Sequence, residues 1–211
     1  MVMSEERPEA RAPARSTVSA AIFCGGRSAR MGVDKALLVD AEGRTLLERA
    51  RDVLRPLAGE VVLCCGSKPR YENLGLPLVL DRREDGGPLA GLEAALLHTT
   101  ARRVIVLACD MPLATAEVLS GLLAEAESRD LDACLLATPA GVEPLCGVYS
   151  RDCLGPVREA LDLGRRRMTS FHDLPCVGRP LAVAAIPARD ADSARNLNTP
   201  ADWAHFQQGS R

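Results

Sequence analysis

The chain has 211 residues, 47% of them hydrophobic and 26% charged, with 26 Lys and Arg against 28 Asp and Glu for a formal net charge of −2. That length suits one domain with a sizeable core, and the composition is that of a globular protein. The charge balance excludes a general nucleic-acid or membrane binder, so an anion site must be local, and no apolar run is long enough to span a bilayer.

The first segment, Met1–Thr17, mixes Arg, Glu, Ala and Pro and lacks the apolar centre of a signal peptide. It is expected to be a disordered tail on a cytoplasmic protein, with one folded domain over 18–211. The apolar run Ser19–Cys24 then predicts a strand. It leads directly into "GGRSARMGVDK", where Gly25 and Gly26 are followed by Arg27, Arg30 and Lys35. Paired glycines permit close backbone approach, and consecutive N–H groups there form an anion nest. Arg30 would grip phosphate oxygens as a fork and Lys35 as a point charge. The plainer alternative is a glycine turn with solvated cations. Neither GxxxxGK[ST] nor GxGxxG is present, so this is not a Walker A loop or a dinucleotide fingerprint.

"TLLERARDVLRPL" predicts a helix. Thr45 and Glu48 stand at capping-box spacing, and Leu46, Leu47, Ala50, Val53, Leu54 and Leu57 form one stripe. Strands are predicted at Glu60–Cys65 and Leu78–Leu80. Asp81 ends the second of these, where it would accept hydrogen bonds from a base or ribose. Gly86-Gly87-Pro88 next opens a helix with Leu89, Leu92 and Leu96 on its buried side. Gly87 would let the backbone approach a sugar; the alternative is an ordinary turn.

Arg103–Ala108 predicts another strand, followed at once by Cys109-Asp110-Met111-Pro112. An Asp at that strand end either ligates Mg²⁺ bridging phosphate oxygens or caps a helix. A helix is predicted through "EVLSGLLAEAE", strands at Ala133–Thr138, Leu145–Tyr149 and Ala182–Ile186, and a last helix with Thr199 as N-cap and Pro200 as its first residue.

Most strand candidates are continuously apolar, as when both faces of a sheet are covered. Strand–helix alternation then implies an α/β fold with a doubly wound, mostly parallel sheet. Ligands in such sheets bind beyond the carboxyl ends of the strands, where Gly25-Gly26, Asp81 and Asp110 fall. The eight cysteines show no CxxC spacing and only three histidines accompany them, which reads as buried thiols in a reducing compartment rather than a zinc site.

Five segments in order, "CGGRSARMGVDK" (Cys24–Lys35), "GPLAGLEAAL" (Gly87–Leu96), "CDMP" (Cys109–Pro112), "EPLCGVY" (Glu143–Tyr149) and "NLNTPADW" (Asn196–Trp203), resemble the molybdenum cofactor guanylyltransferases within the wider MobA-like nucleotidyltransferases. The resemblance covers most of Ala20 to Phe206. It implies a single-domain, Rossmann-like nucleotidyltransferase fold and transfer of GMP from GTP to the phosphate of molybdopterin, with Mg²⁺ as cofactor and pyrophosphate as leaving group.

By the same resemblance Phe23, Cys24, Gly25, Gly26 and Lys35 contact GTP, Asp81 contacts the nucleoside and Asp110 holds Mg²⁺. Lys35 and Asp110 form the catalytic pair. Asn196 and Asn198 face the pterin substrate, although Asn before a helix is also a common turn residue. A molybdoenzyme or its chaperone would receive the product.

Two departures from the family pattern stand out: Cys24 in place of Ala, and Cys64-Cys65-Gly66 where many relatives carry Asn. Backbone groups of that stretch, with Asp81, are then expected to read the base. The rival readings are a cytidylyltransferase using CTP, a nucleotidyltransferase for sugar or polyol phosphates, and a nucleotide-binding protein without turnover.

Overall fold

The computed structural model of this chain describes residues 18–24, 34–188 and 195–209. The expected tail, and Gly25, Gly26, Arg27 and Arg30 of the predicted phosphate loop, lie outside the described residues.

The sheet is built outward from β1 (Val18–Phe23), whose six residues are all buried. Such a segment has no face left for water and needs a strand on each edge and a layer on each side. β1 pairs in parallel with β2 (Val61–Cys64) and along its whole length with β4 (Arg103–Ala108), from Val18 opposite Arg103 to Phe23 opposite Ala108. Outside β2 runs β3 (Leu78–Val79), also parallel. Beyond β4 come β6 (Gly141–Ser150), β5 (Ala133–Thr138) and β9 (Val183–Pro187), giving the seven-stranded order β3-β2-β1-β4-β6-β5-β9.

Every strand predicted from the sequence is present. Direction was the hidden variable: β6 runs antiparallel to both β4 and β5, while β5 and β9 are parallel to each other. A hairpin strand buried on both faces is as continuously apolar as a parallel one, so periodicity does not distinguish them.

Helices cover both faces, as expected of a doubly wound sheet. Side chains along a strand alternate between faces. Ala20 and Ile22 therefore join one core with α1 (Leu46–Leu54) and α3 (Ala116–Ser128), while Ala21 and Phe23 join another with α2 (Gly87–His98) and α4 (Leu154–Asp162). The capping box of α1 forms as its sequence predicts, with Glu48 N donating to Thr45 Oγ1 at 3.1 Å and Thr45 N to Glu48 Oε2 at 2.8 Å. α2 is buried over Leu89–Leu96, well beyond its leucine stripe and including Glu93. Sheet and α4 enclose it between them. α4 and a two-stranded hairpin, β7 (Pro175–Cys176) with β8 (Arg179–Pro180), have no counterpart among the predicted elements.

A third, small core fixes the end of the chain. Leu46, Leu197 and Phe206 are buried together, with Trp203 of α5 (Pro200–Gly209) packed against them. Among the described residues no helix is long and apolar enough to cross a membrane.

The junction of β5 and β6 depends on a glycine. Gly147 stands opposite Leu135, where the pairing slips by a bulge between Leu135 and Leu136. A Cβ on Gly147 would lie 2.9 Å from the Cys134 carbonyl oxygen. A backbone atom cannot swing aside as a side-chain tip can. Gly147→Ala should therefore destabilise the fold by about 1–3 kcal/mol, the usual cost of overpacking, read from urea unfolding midpoints at unchanged slope.

Candidate active site

β1 and β4 end level with one another, and their pairing continues one step further: Cys109 N donates to the Phe23 carbonyl at 3.0 Å. Cys24 and Asp110 thus leave the sheet from neighbouring strands at its carboxyl edge. Backbone geometry alone brings the start of the predicted phosphate loop beside the predicted metal ligand.

Lys35 reaches the same point from a short 3-10 turn, Lys35–Leu37, capped by Asp34, whose Oδ1 accepts from Ala36 N at 3.2 Å. Tyr71 Oη donates to the other Asp34 oxygen at 2.6 Å, and Arg70 lies 3.8 Å from it. The turn presenting Lys35 is therefore braced from the β2–β3 connection. Lys35 Nζ sits 3.5 Å from Asp110 Oδ2 and donates to Asn198 Oδ1 at 2.9 Å. Burial raises the pKa of Asp110, and the Lys35 charge partly offsets that rise.

Asn198 arrives by a separate route. Leu197 N donates to the Asp110 carbonyl at 2.8 Å, and the Leu197 side chain is buried in the third core. Pinned there, the extended segment turns its two asparagines to different partners. Asn198 meets Lys35, while Asn196 Nδ2 donates to Glu143 Oε2 at 3.1 Å. Beyond them Thr199 and Asp202 cap α5 reciprocally, with Thr199 N to Asp202 Oδ2 at 2.9 Å and Asp202 N to Thr199 Oγ1 at 3.1 Å.

These groups open onto a cleft of about 1020 Å³, lined by Phe23, Cys24, Lys35, Asp81, Gly87, Asp110 and Asn198 among others. Seven predicted site residues thus come together. Asn196 is not among the lining residues, and Gly25, Gly26 and Arg30 lie outside the described residues. Gly87 has φ +64, and a Cβ there would meet the Arg166 carbonyl oxygen at 3.0 Å. Chain conformation and packing against Arg166 already require this glycine.

Asp81 also lines the cleft. Its backbone N donates to Gly66 O at 3.0 Å, tying it to the Cys64–Gly66 stretch, yet its Oδ1 is buried with no hydrogen-bond partner. Burial, with the Glu93 charge behind it, raises the Asp81 pKa to about 6. Glu93 itself is held by Arg83 at 3.2 Å and Arg158 at 3.3 Å. Arg70, Arg83 and Arg166 line the cleft too. None has a local sequence signal, because an isolated Arg in a connecting segment looks like any solvated cation.

Among the described residues, no group of three or more His, Cys, Asp or Glu is arranged to hold a metal ion. A cation at Asp110 would therefore complete its shell with phosphate oxygens and water. One carboxylate plus substrate phosphates is a donor set that suits Mg²⁺.

A doubly wound α/β sheet with a lysine, a strand-end carboxylate and a large cleft at its carboxyl edge is the arrangement of a nucleotide-handling protein of the nucleotidyltransferase class. Residues 20–177 match the MobA-like NTP transferase domain, and the chain belongs to that family. A protein of Carboxydothermus hydrogenoformans named "Probable molybdenum cofactor guanylyltransferase" is 35% identical over 88% of this chain and 93% of its own length. One of the same name from Trichormus variabilis is 34% identical over 91% of each chain. The crystal structure of molybdopterin-guanine dinucleotide biosynthesis protein A from Archaeoglobus fulgidus superposes with a TM-score of 0.77 at 25% identity, covering 91% of this chain and 98% of that one.

The unpaired Asp81 oxygen gives the free protein a pH signature. Its folded pKa of about 6 exceeds the ordinary 3.8. The stability Asp81 contributes is therefore full below the unfolded value and is lost as pH rises through the folded one. Between pH 7 and pH 4.5 the wild type should gain stability relative to Asp81→Asn. Urea unfolding of both proteins at the two pH values measures this, and a pH-independent difference would mean the carboxylate is well solvated.

Proposed function

We propose that this protein transfers GMP from GTP to the terminal phosphate of molybdopterin, usually already carrying molybdenum, and releases pyrophosphate. The observation that carries the reading is the meeting of Lys35, Asp110 and Asn198 on one cleft. A cavity of about 1020 Å³ sits at the upper end of small-molecule sites, roughly 300–1,000 Å³, which suits two substrates side by side.

A phosphate oxygen of the pterin substrate attacks the GTP α-phosphorus. The new P–O bond forms as the bond to the β-phosphate bridging oxygen breaks, and pyrophosphate departs with that electron pair. The attacking phosphate, with a second pKa of about 6, is already ionised at neutral pH and needs no strong base. The barrier is the approach of two polyanions, which calls for positioning and fixed positive charge.

Lys35 supplies one such charge. Two of its three N–H bonds go to Asp110 and Asn198, which aims the ammonium while leaving a donor for a phosphate oxygen. Asp110 would hold Mg²⁺, which when bound supplies charge neutralisation to phosphate oxygens. Phe23, Cys24, Gly25, Gly26 and Arg30 are assigned to the triphosphate and Gly87 to the ribose. Asn198 is assigned to the pterin substrate, with Asn196 behind it as a residue that positions the same segment through Glu143.

Asp81 supports guanine as the base. Guanine presents donors at N1 and N2, and the unpaired Oδ1 is an acceptor backed by a second carboxylate. Cytosine offers a donor at N4 alone, with acceptors at N3 and O2, so it would present this carboxylate with one donor group where guanine presents two side by side. The product would pass to a molybdoenzyme or its chaperone in the cytoplasm, a compartment that keeps thiols reduced in the absence of an oxidant.

Two measurements test the reading. With one molybdopterin preparation, kcat/KM for GTP should exceed that for CTP by about a hundredfold, since each unpaired buried group costs roughly 1–3 kcal/mol. Asp81→Asn should shrink that ratio, and a preference for CTP would overturn the assignment of the base. Asp110→Asn should fold normally yet lose Mg²⁺-dependent turnover by about a hundredfold or more, the scale of removing a key electrostatic group. Near-normal turnover at saturating Mg²⁺ would remove Asp110 from the metal site.

A further inference from the structure

Two of the eight cysteines meet across neighbouring strands on the wall of the cleft. Cys24 follows β1 and Cys65 follows β2. Cys24 N donates to the Cys64 carbonyl at 3.0 Å, so the pair extends the parallel register in which Phe23 stands opposite Cys64. Their sulfurs lie 3.2 Å apart. Neighbouring strands are separated by about 4.7–4.9 Å, inside the roughly 4.4–6.8 Å range of Cα separations that a disulfide spans. Reaching the S–S length of about 2.05 Å asks the two sulfurs to close by roughly 1 Å.

The surroundings favour reaction at this pair over the other thiols. Cys24 and Cys65 share a hydrogen bond in which either thiol can donate, each also reaches a carbonyl oxygen (Cys64 at 3.6 Å and Arg70 at 3.8 Å), and the Arg70 guanidinium stands beside them, its Nη2 donating to the carbonyls of Cys24 at 3.0 Å and Cys65 at 3.4 Å. The Cys24 hydrogen bond first, then the Arg70 charge, draw the Cys65 pKa down against its burial, while that same bond and burial push Cys24 up. A thiol whose pKa is drawn down beside a cation is the one of the pair that ionises more readily. Burial raises the pKa of each of the remaining six cysteines. Cys24 and Cys65 also line the cleft, which gives a molecule the size of a peroxide a way in when no nucleotide covers them.

We propose that Cys24 and Cys65 are a redox modification site: a peroxide converts them to a reversible disulfide that lowers the affinity of the cleft for nucleotide. The inference rests on the reading that this cleft takes GTP. The Cys65 thiolate attacks one peroxide oxygen, the O–O bond breaks, and the departing hydroxide takes a proton to become water. Cys24 sulfur then attacks the resulting sulfenic sulfur. The S–O bond breaks, and the hydroxyl leaves with the Cys24 proton as a second water. Two electrons pass from the thiols to the peroxide, and a dithiol such as dithiothreitol returns them by exchange.

The consequence follows from what each strand end carries. Cys24 immediately precedes Gly25-Gly26, and Cys65 lies in the stretch tied to Asp81 through Gly66. Drawing the sulfurs together would shift the ends of β1 and β2, and with the latter Asp81, relative to each other. A shift of about 1 Å is enough to spoil the positioning of a bound substrate.

The test treats the full chain with hydrogen peroxide. It reads the linked peptides by non-reducing mass spectrometry and GTP affinity by calorimetry. A Cys24–Cys65 linked peptide should appear, with GTP affinity falling tenfold or more and returning after dithiothreitol. Prior saturation with GTP and Mg²⁺ should slow the linkage. Cys24→Ser and Cys65→Ser should each abolish that peptide and the peroxide-dependent loss, scored against each variant's own untreated affinity. The wild-type measurements stand without either variant.

Absence of the linked peptide, or its formation with unchanged affinity, overturns the proposal. A reduced protein that binds CTP and not GTP overturns the guanine assignment instead. The same peptide read alongside CTP affinity then decides the thiol chemistry separately.

Discussion

The contact of Lys35 with Asp110 and Asn198 organises the rest of the site. It joins residues separated by 75 and 163 positions in the chain, and each is delivered by a different structural device. Asp110 is delivered by the end of a fully buried strand, Lys35 by a capped turn braced against Tyr71, and Asn198 by a buried leucine two residues into an extended segment. In the free protein the cation and the carboxylate satisfy each other, so neither is left uncompensated where water is scarce. The same closeness means that a polyanion and its metal ion would replace one well-placed partner with another. Little of the structure would need to rearrange.

The third core explains why the C-terminal helix matters to the chemistry. Its amphipathic signal is weak, yet Trp203 and Phe206 pack against Leu46 of α1, and Arg49 lies 5.5 Å over the Phe206 ring while pairing with Asp40 at 2.6 Å. This anchoring keeps Leu197 on the Asp110 carbonyl and hence holds Asn198 over the lysine. A segment far from the phosphate loop in sequence thereby becomes part of its far wall.

The cleft around Asp81 is built on the opposite electrostatic plan. Asp81 and Glu93 crowd two carboxylates into one region, and Arg83 and Arg158 are committed to Glu93. Arg83 is further tied to Asp162 at 2.6 Å. The cations balance the deeper carboxylate and leave the shallower one short of donors. The cleft therefore carries the Lys35 cation at one point and an unpaired carboxylate acceptor, Asp81, at another.

Much of this was legible in the sequence because it is local. Continuous apolar runs fixed the strands, Thr45 with Glu48 and Thr199 with Pro200 fixed helix starts, and glycines and acids after strands marked the functional edge. These signals rest on side-chain burial and backbone capping, which act within a few residues. The antiparallel direction of β6 was not legible, since a strand buried on both faces has the same pattern whichever way it runs. Nor was the enclosure of Glu93, the bracing of Asp34 by Tyr71, or the approach of Cys24 to Cys65. Each depends on which strands become neighbours, and that choice is made by packing the whole sheet between its helices. Composition and motif determined the class of fold and pointed to seven residues that line one cleft; tertiary structure decided their partners, because an ion pair or a thiol contact is set by distance in space rather than by order along the chain.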